Sequence, residues 1–157
     1  MTTLRGTLLT LLACAGVNAQ CVPGGLAVVV TKTTATDSLS MAQLRKLVIG
    51  DVHTWPDKSK VTLVGTDPDG ALFKCVLTTV VRMTLPEYHK YLLSAEFRGD
   101  EPLRAKTVDS AASAVRAVGA AGGSIAIVDA GSVASPGASV KVLSINGKRP
   151  GEPGYPL

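Results

Sequence analysis

The run Leu26-Ala27-Val28-Val29-Val30 constrains this chain more than any other stretch. It has no polar position that could face water, and it is bounded by Pro23-Gly24-Gly25 and by the polar segment Thr31 to Asp37. A continuous apolar run of this length suits a strand buried on both faces, as in a helix-covered sheet.

Beyond Asp37 the chain alternates helix and strand signals. Ser40-Met41-Ala42-Gln43 is a capping box opening a helix to about Val48, with an apolar stripe of Leu44, Leu47 and Val48 and a left-handed stop at Gly50. Trp55-Pro56-Asp57-Lys58 reads as a turn and Val61 to Val64 as a strand. The turn-rich Gly65 to Gly70 leads into a helix from about Ala71 to Val81, and Thr84-Leu85-Pro86-Glu87 is a second capping box for a helix ending near Leu93. Asp109 is placed to cap an Ala-rich helix to Val118, stopped by Gly119. Ser124–Val128 and Val140–Ile145 read as further strands before a Pro/Gly-rich tail, Asn146 to Leu157. The alternation predicts an α/β sandwich. With no repeats and no linker, residues 20–157 are expected to form a single domain.

Residues 1–19 have the layout of a secretory signal peptide: Arg5, an apolar stretch from Gly6 to Val17, and small residues before a cut at Gln20. Leu11-Leu12-Ala13-Cys14 is a loose lipobox, so lipidation at Cys14 is the rival processing route. Either route implies a periplasmic or secreted protein. Beyond the first twenty positions no run of 18 apolar residues occurs, which excludes a polytopic membrane protein. At 46% hydrophobic the chain is too apolar for intrinsic disorder. The net charge of +4 is spread along the chain without a basic stripe or interleaved aromatics, so nucleic acid is not an expected partner. Signal cleavage would leave Cys21 and Cys75 as an even pair in an oxidising compartment. A bond between them would stabilise by roughly 4 kcal/mol; two unpaired thiols are the alternative. No Cys or His spacing suggests a metal site.

Several segments, taken together and in order, resemble the phosphate-binding proteins of bacterial ABC importers, within the type 2 periplasmic-binding-protein fold. They are Leu39 to Leu44 with Val48-Ile49-Gly50 and Trp55-Pro56-Asp57, then Asp69 to Leu77, Phe97-Arg98-Gly99, Gly123 to Val128, Asn146-Gly147 and Gly154-Tyr155-Pro156-Leu157. The resemblance spans about residues 26–157. It implies a single lobe of that two-lobed fold, a mixed sheet covered by helices. It also implies a small oxyanion such as phosphate as ligand, bound weakly or with a partner, and a role linked to ABC-type uptake. Tight enclosure would need a homodimer, a second-lobe protein or an ABC permease. No cofactor is implied.

The family places a Ser, a Thr and a preceding Arg at a helix entry that here reads Asp69-Gly70-Ala71, with Thr66 near the Arg position. Both hydroxyls and the cation are missing, and Asp67 and Asp69 would repel an anion. Asp69 is expected as an ordinary N-cap, while Gly70 permits close backbone approach and Lys74 could reach an anion. Thr31-Lys32-Thr33-Thr34 is the other candidate half-site, with Thr33 and Thr34 hydroxyls as donors, although a hydrogen-bonded loop at a strand end is the favoured explanation. A protein-interaction module that kept the fold and lost the ligand is the alternative function. His53 and His89 lack any nucleophile context, so no enzyme is expected. Trp55, Tyr88, Tyr91 and Phe97 are expected to fill the core or its edge.

Overall fold

The computed structural model describes residues 21–102, 104–133 and 137–157. The expected signal peptide 1–19 and the lipobox Cys14 lie outside the described residues. Within them the chain forms β1 (Leu26–Thr31), β2 (Ser38–Leu39), α1 (Met41–Ile49), β3 (Thr62–Gly65), α2 (Ala71–Val76), a π-helical continuation (Leu77–Val81), α3 (Leu85–Phe97), β4 (Lys106–Thr107), α4 (Ala111–Ala120), β5 (Ser124–Asp129), a 3-10 turn (Ala130–Val133), β6 (Val140–Val142) and β7 (Ser144–Ile145). The five-stranded sheet has the order β4-β3-β5-β1-β6, and β2 pairs with β7 in a separate ribbon. The sheet is mixed: β3 runs parallel to β4 and β5, and β1 runs antiparallel to β5 and β6.

All six residues of β1 are buried, because both faces of the sheet are covered. Strand alternation sends Leu26, Val28, Val30, Leu63, Ile125 and Ile127 to one face, where the first three helices pack, with Leu44, Leu77 and Tyr88 among the contacts. The other face is narrower in side-chain volume. Ala27, Val29, Val64, Ala126 and Val128 meet α4 through Ala114 and Val118. The Thr31 hydroxyl ends β1 by donating to the carbonyl pair Val118 (2.9 Å) and Ala121 (2.8 Å), so the strand's polar terminus closes the C-terminal end of α4.

Both capping boxes form: Ser40 with Gln43, and Thr84 with Glu87. Gly50 is left-handed (φ 85°) and ends α1. Other boundaries differ from the sequence expectation for definable reasons. The N-cap of α4 is Ser110, whose hydroxyl accepts from the Ser113 amide, whereas Asp109 stays outside the helix. Gly119 does not stop α4; it lies inside the helix because a Cβ there would sit 3.1 Å from Ser139 Cβ and 3.2 Å from Val140 Cγ1. The expected Ala71–Val81 helix widens to π geometry from Leu77. The β-branched run Thr78-Thr79-Val80-Val81 packs poorly into an α ladder, and the Thr78 hydroxyl competes for the Lys74 and Cys75 carbonyls (3.0 and 3.1 Å). The α3 helix runs one turn past Leu93, to Phe97. The expected strand Val140–Ile145 is two strands in two sheets, parted at Leu143, whose amide donates to Val28. Trp55 and Tyr88 are core residues as expected, but Phe97 is 90% exposed. The expected disulfide Cys21–Cys75 is present, with Cα atoms 5.6 Å apart.

Gly123 joins the Trp55 turn to the sheet. Its carbonyl accepts from Trp55 Nε1 (2.8 Å) and from the Thr62 amide (3.2 Å), and its φ is +74°. A Cβ at this position would overlap the Lys60 carbonyl oxygen. Gly123→Ala is therefore expected to destabilise the protein by about 2 kcal/mol or more. Gly122→Ala, which meets no atom within 4 Å, should shift stability by less than about 1 kcal/mol. Urea unfolding of the two variants checks the contrast.

Candidate functional site

The strand register decides how the two candidate half-sites relate. In the β1–β5 pair Val30 faces Ile125 and Leu26 faces Asp129; in the β3–β5 pair Thr62 faces Ser124 and Val64 faces Ala126. Thr31 and the loop after it therefore leave the sheet at the Ser124 end, and Gly65-Thr66 leave it at the Asp129 end. The two loops are separated by about 13 Å or more along the strands. The structure does not bring Thr33 and Thr34 together with Thr66, Asp69, Gly70, Ala71 and Lys74.

The Thr31–Thr34 loop is held internally. The Thr34 amide donates to Thr31 O (3.0 Å), and Lys141 Nζ donates to Thr34 O (2.6 Å) while pairing with the Asp37 carboxylate (2.5 Å). Thr33 is exposed, and Thr34 is buried with its hydroxyl lacking a hydrogen-bond partner. The backbone of the loop is thus hydrogen-bonded at Thr34, while among the described residues the Thr33 and Thr34 hydroxyls are not used by the fold.

At the other end, the carboxyl ends of the three parallel strands form one rim: Thr66 to Gly70 after β3, Thr107 to Ser110 after β4, and Asp129 to Ser132 after β5. The expected Asp69 N-cap is not formed. Gly70 is the N-cap of α2, with an extended backbone and no side chain to offer the first turn. Asp67 instead organises the loop: its carboxylate accepts from the Asp69 amide (2.9 Å) and its carbonyl from the Gly70 amide (3.0 Å). The loop folds so closely that a Cβ on Gly70 would lie 3.1 Å from Asp67 O. Ser40, Thr84 and Ser110 cap the other three α-helices, so among the described residues α2 is the one α-helix that begins without a side-chain cap. Its first-turn residues Ala71, Leu72 and Phe73 present amide N–H groups and the positive end of the helix dipole at the rim. Lys74 follows one turn in and is exposed; Thr66 is half-buried over a small hollow of about 30 Å³ lined by Leu72, Phe73 and Ala105.

The rim is not strongly cationic. Asp67 and Asp69 stand beside Gly70, both exposed. Asp109 and Asp129 stand at the ends of β4 and β5. Hydrogen bonds from the Ser113 side chain, then from its own amide, hold the Asp109 carboxyl below the usual range. The Asp129 carboxylate accepts from the Ser132 amide (3.0 Å) and hydroxyl. Sequence reading missed Thr107 and Asp129–Ser132 as rim residues. A two-residue strand such as β4 has no periodicity to detect, though the Asp-x-x-Ser spacing at 129–132 is a recognisable turn signal. His53, with Asp51, Tyr91, Arg98 and Asp100, lines a separate hollow of about 290 Å³ beside α3. Burial, then the hydrogen bond to Asp51 (2.9 Å), raises the Tyr91 phenol there.

An ABC-type phosphate transport receptor from Vibrio cholerae matches with a TM-score of 0.59 and 19% identity over 80% of this chain and 48% of the receptor. PstS from Borrelia burgdorferi matches with a TM-score of 0.62 and 14% identity, again over 80% of this chain and 48% of its own. The fold is that of about one lobe of a PstS-type binding protein. A Clostridium perfringens structure assigned as a phosphate ABC transporter substrate-binding protein, with bound phosphate, gives a TM-score of 0.55 at 12% identity and is covered over 46% of its length. The chain thus spans about half of each of these proteins. No family model and no curated protein matches the sequence.

Because the Thr34 hydroxyl is buried without a partner, Thr34→Val should be neutral or stabilising by up to about 1 kcal/mol. A loss of stability in urea unfolding would show that the hydroxyl bonds a group in the folded protein.

Proposed function

We propose that the chain is an exported, non-catalytic lobe that binds a small oxyanion, phosphate in the first instance, at the uncapped N-terminus of α2. The observation that carries this reading is the Gly70 N-cap. It leaves the amides of Ala71, Leu72 and Phe73 for an outside acceptor at the same end of the sheet as the other parallel strand ends. The likeness to phosphate-binding structures supports the ligand class. Residues 1–19 would direct export to the periplasm or beyond, and the Cys21–Cys75 bond fits an oxidising compartment. No helix among the described residues is long and apolar enough to cross a membrane.

Backbone donors alone, with Asp67 and Asp69 beside them, support only weak binding. A dissociation constant in the millimolar range corresponds to about 4 kcal/mol. Enclosure by a second lobe, whether another copy of this chain or a separate protein, would strengthen it, and coupling to an ABC permease would make the lobe part of phosphate uptake. A second reading is an interaction module that kept the fold without the ligand. The carboxylates at the rim and the exposed Phe97 and Leu93 on α3 favour it.

Isothermal calorimetry with phosphate, and sulfate as control, separates the two. Oxyanion binding predicts saturable heat at millimolar phosphate. It also predicts an affinity gain of about tenfold in Asp69→Ser, since removing one nearby like charge and adding a hydroxyl donor is worth about 1.4 kcal/mol. Absence of heat in both proteins up to several millimolar leaves the interaction module as the function.

A further inference from the structure

We propose that the Cys21–Cys75 disulfide is a site of thiol–disulfide exchange, open to a small thiol that carries carboxylates, and not a passive cross-link. The bond lies in the wall of a groove of about 480 Å³ that Thr78, Thr79, Arg82 and Tyr155 also line. That volume is in the range of small-molecule sites. The two cysteines are unequal: Cys21 is exposed, whereas Cys75 is 3% exposed on α2. An incoming thiolate therefore meets Cys21 Sγ, and Cys75 Sγ is the leaving group.

The surroundings suit that division. Thr79 Oγ1 lies 3.6 Å from Cys21 Sγ and 4.0 Å from Cys75 Sγ. Disulfide sulfurs carry no proton, so the hydroxyl is the donor to both and can follow the negative charge onto Cys75 as the bond breaks. Arg82 follows the π-helical segment with a left-handed backbone (φ 62°), and it takes part in none of the ion pairs among the described residues. Its guanidinium supplies the groove's cation. The Thr78 hydroxyl proton is already committed to the Lys74 and Cys75 carbonyls, leaving Arg82 as the strong donor for an incoming carboxylate.

The step balances without an added oxidant. The thiolate sulfur bonds to Cys21 Sγ, the Sγ–Sγ bond breaks, its electron pair goes to Cys75 Sγ, and that thiolate takes a proton from water. A second thiolate then attacks the mixed disulfide, leaves with the first as a free disulfide, and completes the reduction of Cys21. Exchange releases the segment entering β1 from α2, so the groove opens where Val22 and Leu26 now line it. This proposal is independent of the oxyanion reading.

The test incubates the oxidised full chain with glutathione, 2-mercaptoethanol or cysteamine at equal thiolate concentration. Each rate is normalised to that thiol's rate on bis(2-hydroxyethyl) disulfide. Acid quenching and peptide mapping by mass spectrometry locate the adduct. The expected result is a glutathione adduct on Cys21, formed about tenfold faster than the cysteamine adduct, as a charged groove would dictate. Arg82→Asn keeps the left-handed backbone and should bring that ratio within about twofold of unity. Thr79→Val should slow all three thiols, by about tenfold for a lost hydrogen bond of about 1.4 kcal/mol to a charged sulfur. Circular dichroism confirms that each variant is folded, and Arg82→Gly serves in place of Arg82→Asn. An adduct on Cys75, a charge preference unchanged by Arg82→Asn, or adducts forming only at the rate of global unfolding would each overturn the proposal.

Discussion

Strand β1 enters the sheet antiparallel to β5 and is buried on both faces, and the remaining architecture depends on that placement. A strand apolar from Leu26 to Val30 needs cover above and below, which the α1–α3 layer and α4 provide. Its direction also fixes which loops share an end of the sheet. Because β1 opposes β5 while β3 and β4 run with it, the polar loop after β1 emerges opposite the parallel strands' carboxyl ends. Thr31 closes α4 instead of joining the rim.

That constraint sorts the two half-sites. The Thr33-Thr34 loop is clamped by Lys141 and Asp37, and the Thr34 amide and carbonyl serve the fold. The α2 entry has the opposite character. The Asp67 carboxylate holds the loop by accepting from the Asp69 amide, and Gly70 leaves the first turn of α2 uncapped. The same substitution pattern that removes side-chain donors therefore leaves the backbone donors free. The weak binding proposed for this rim would reflect physical terms of opposite sign: a helix dipole and amides that favour an oxyanion, and carboxylates that oppose it.

Much of this was legible in the sequence because the signals are local. Ser40-Gln43 and Thr84-Glu87 specify their caps by a three-residue spacing, Gly50 specifies a left-handed stop, and the apolar run at Leu26 specifies a buried strand. The misplaced features depend on tertiary neighbours. Gly119 reads as a stop but is demanded by Ser139 and Val140 against α4. Thr78 looks helical until its hydroxyl competes with the ladder. Leu143 reads as mid-strand, yet its amide is taken by Val28 while the chain on either side joins different sheets. Asp69 has the composition of a cap and the wrong position for one, because Asp67 captures its amide first. The separation of the half-sites was not legible at all, since strand direction is a property of pairing and not of any single segment.

The most direct measurement is a phosphate titration of the isotopically labelled, oxidised protein followed by amide chemical shifts. The account predicts saturable shifts centred on Gly70, Ala71, Leu72 and Phe73, with Thr31 to Thr34 unmoved. Shifts centred on Thr33 and Thr34, or none at Gly70–Phe73 at millimolar phosphate, would contradict it.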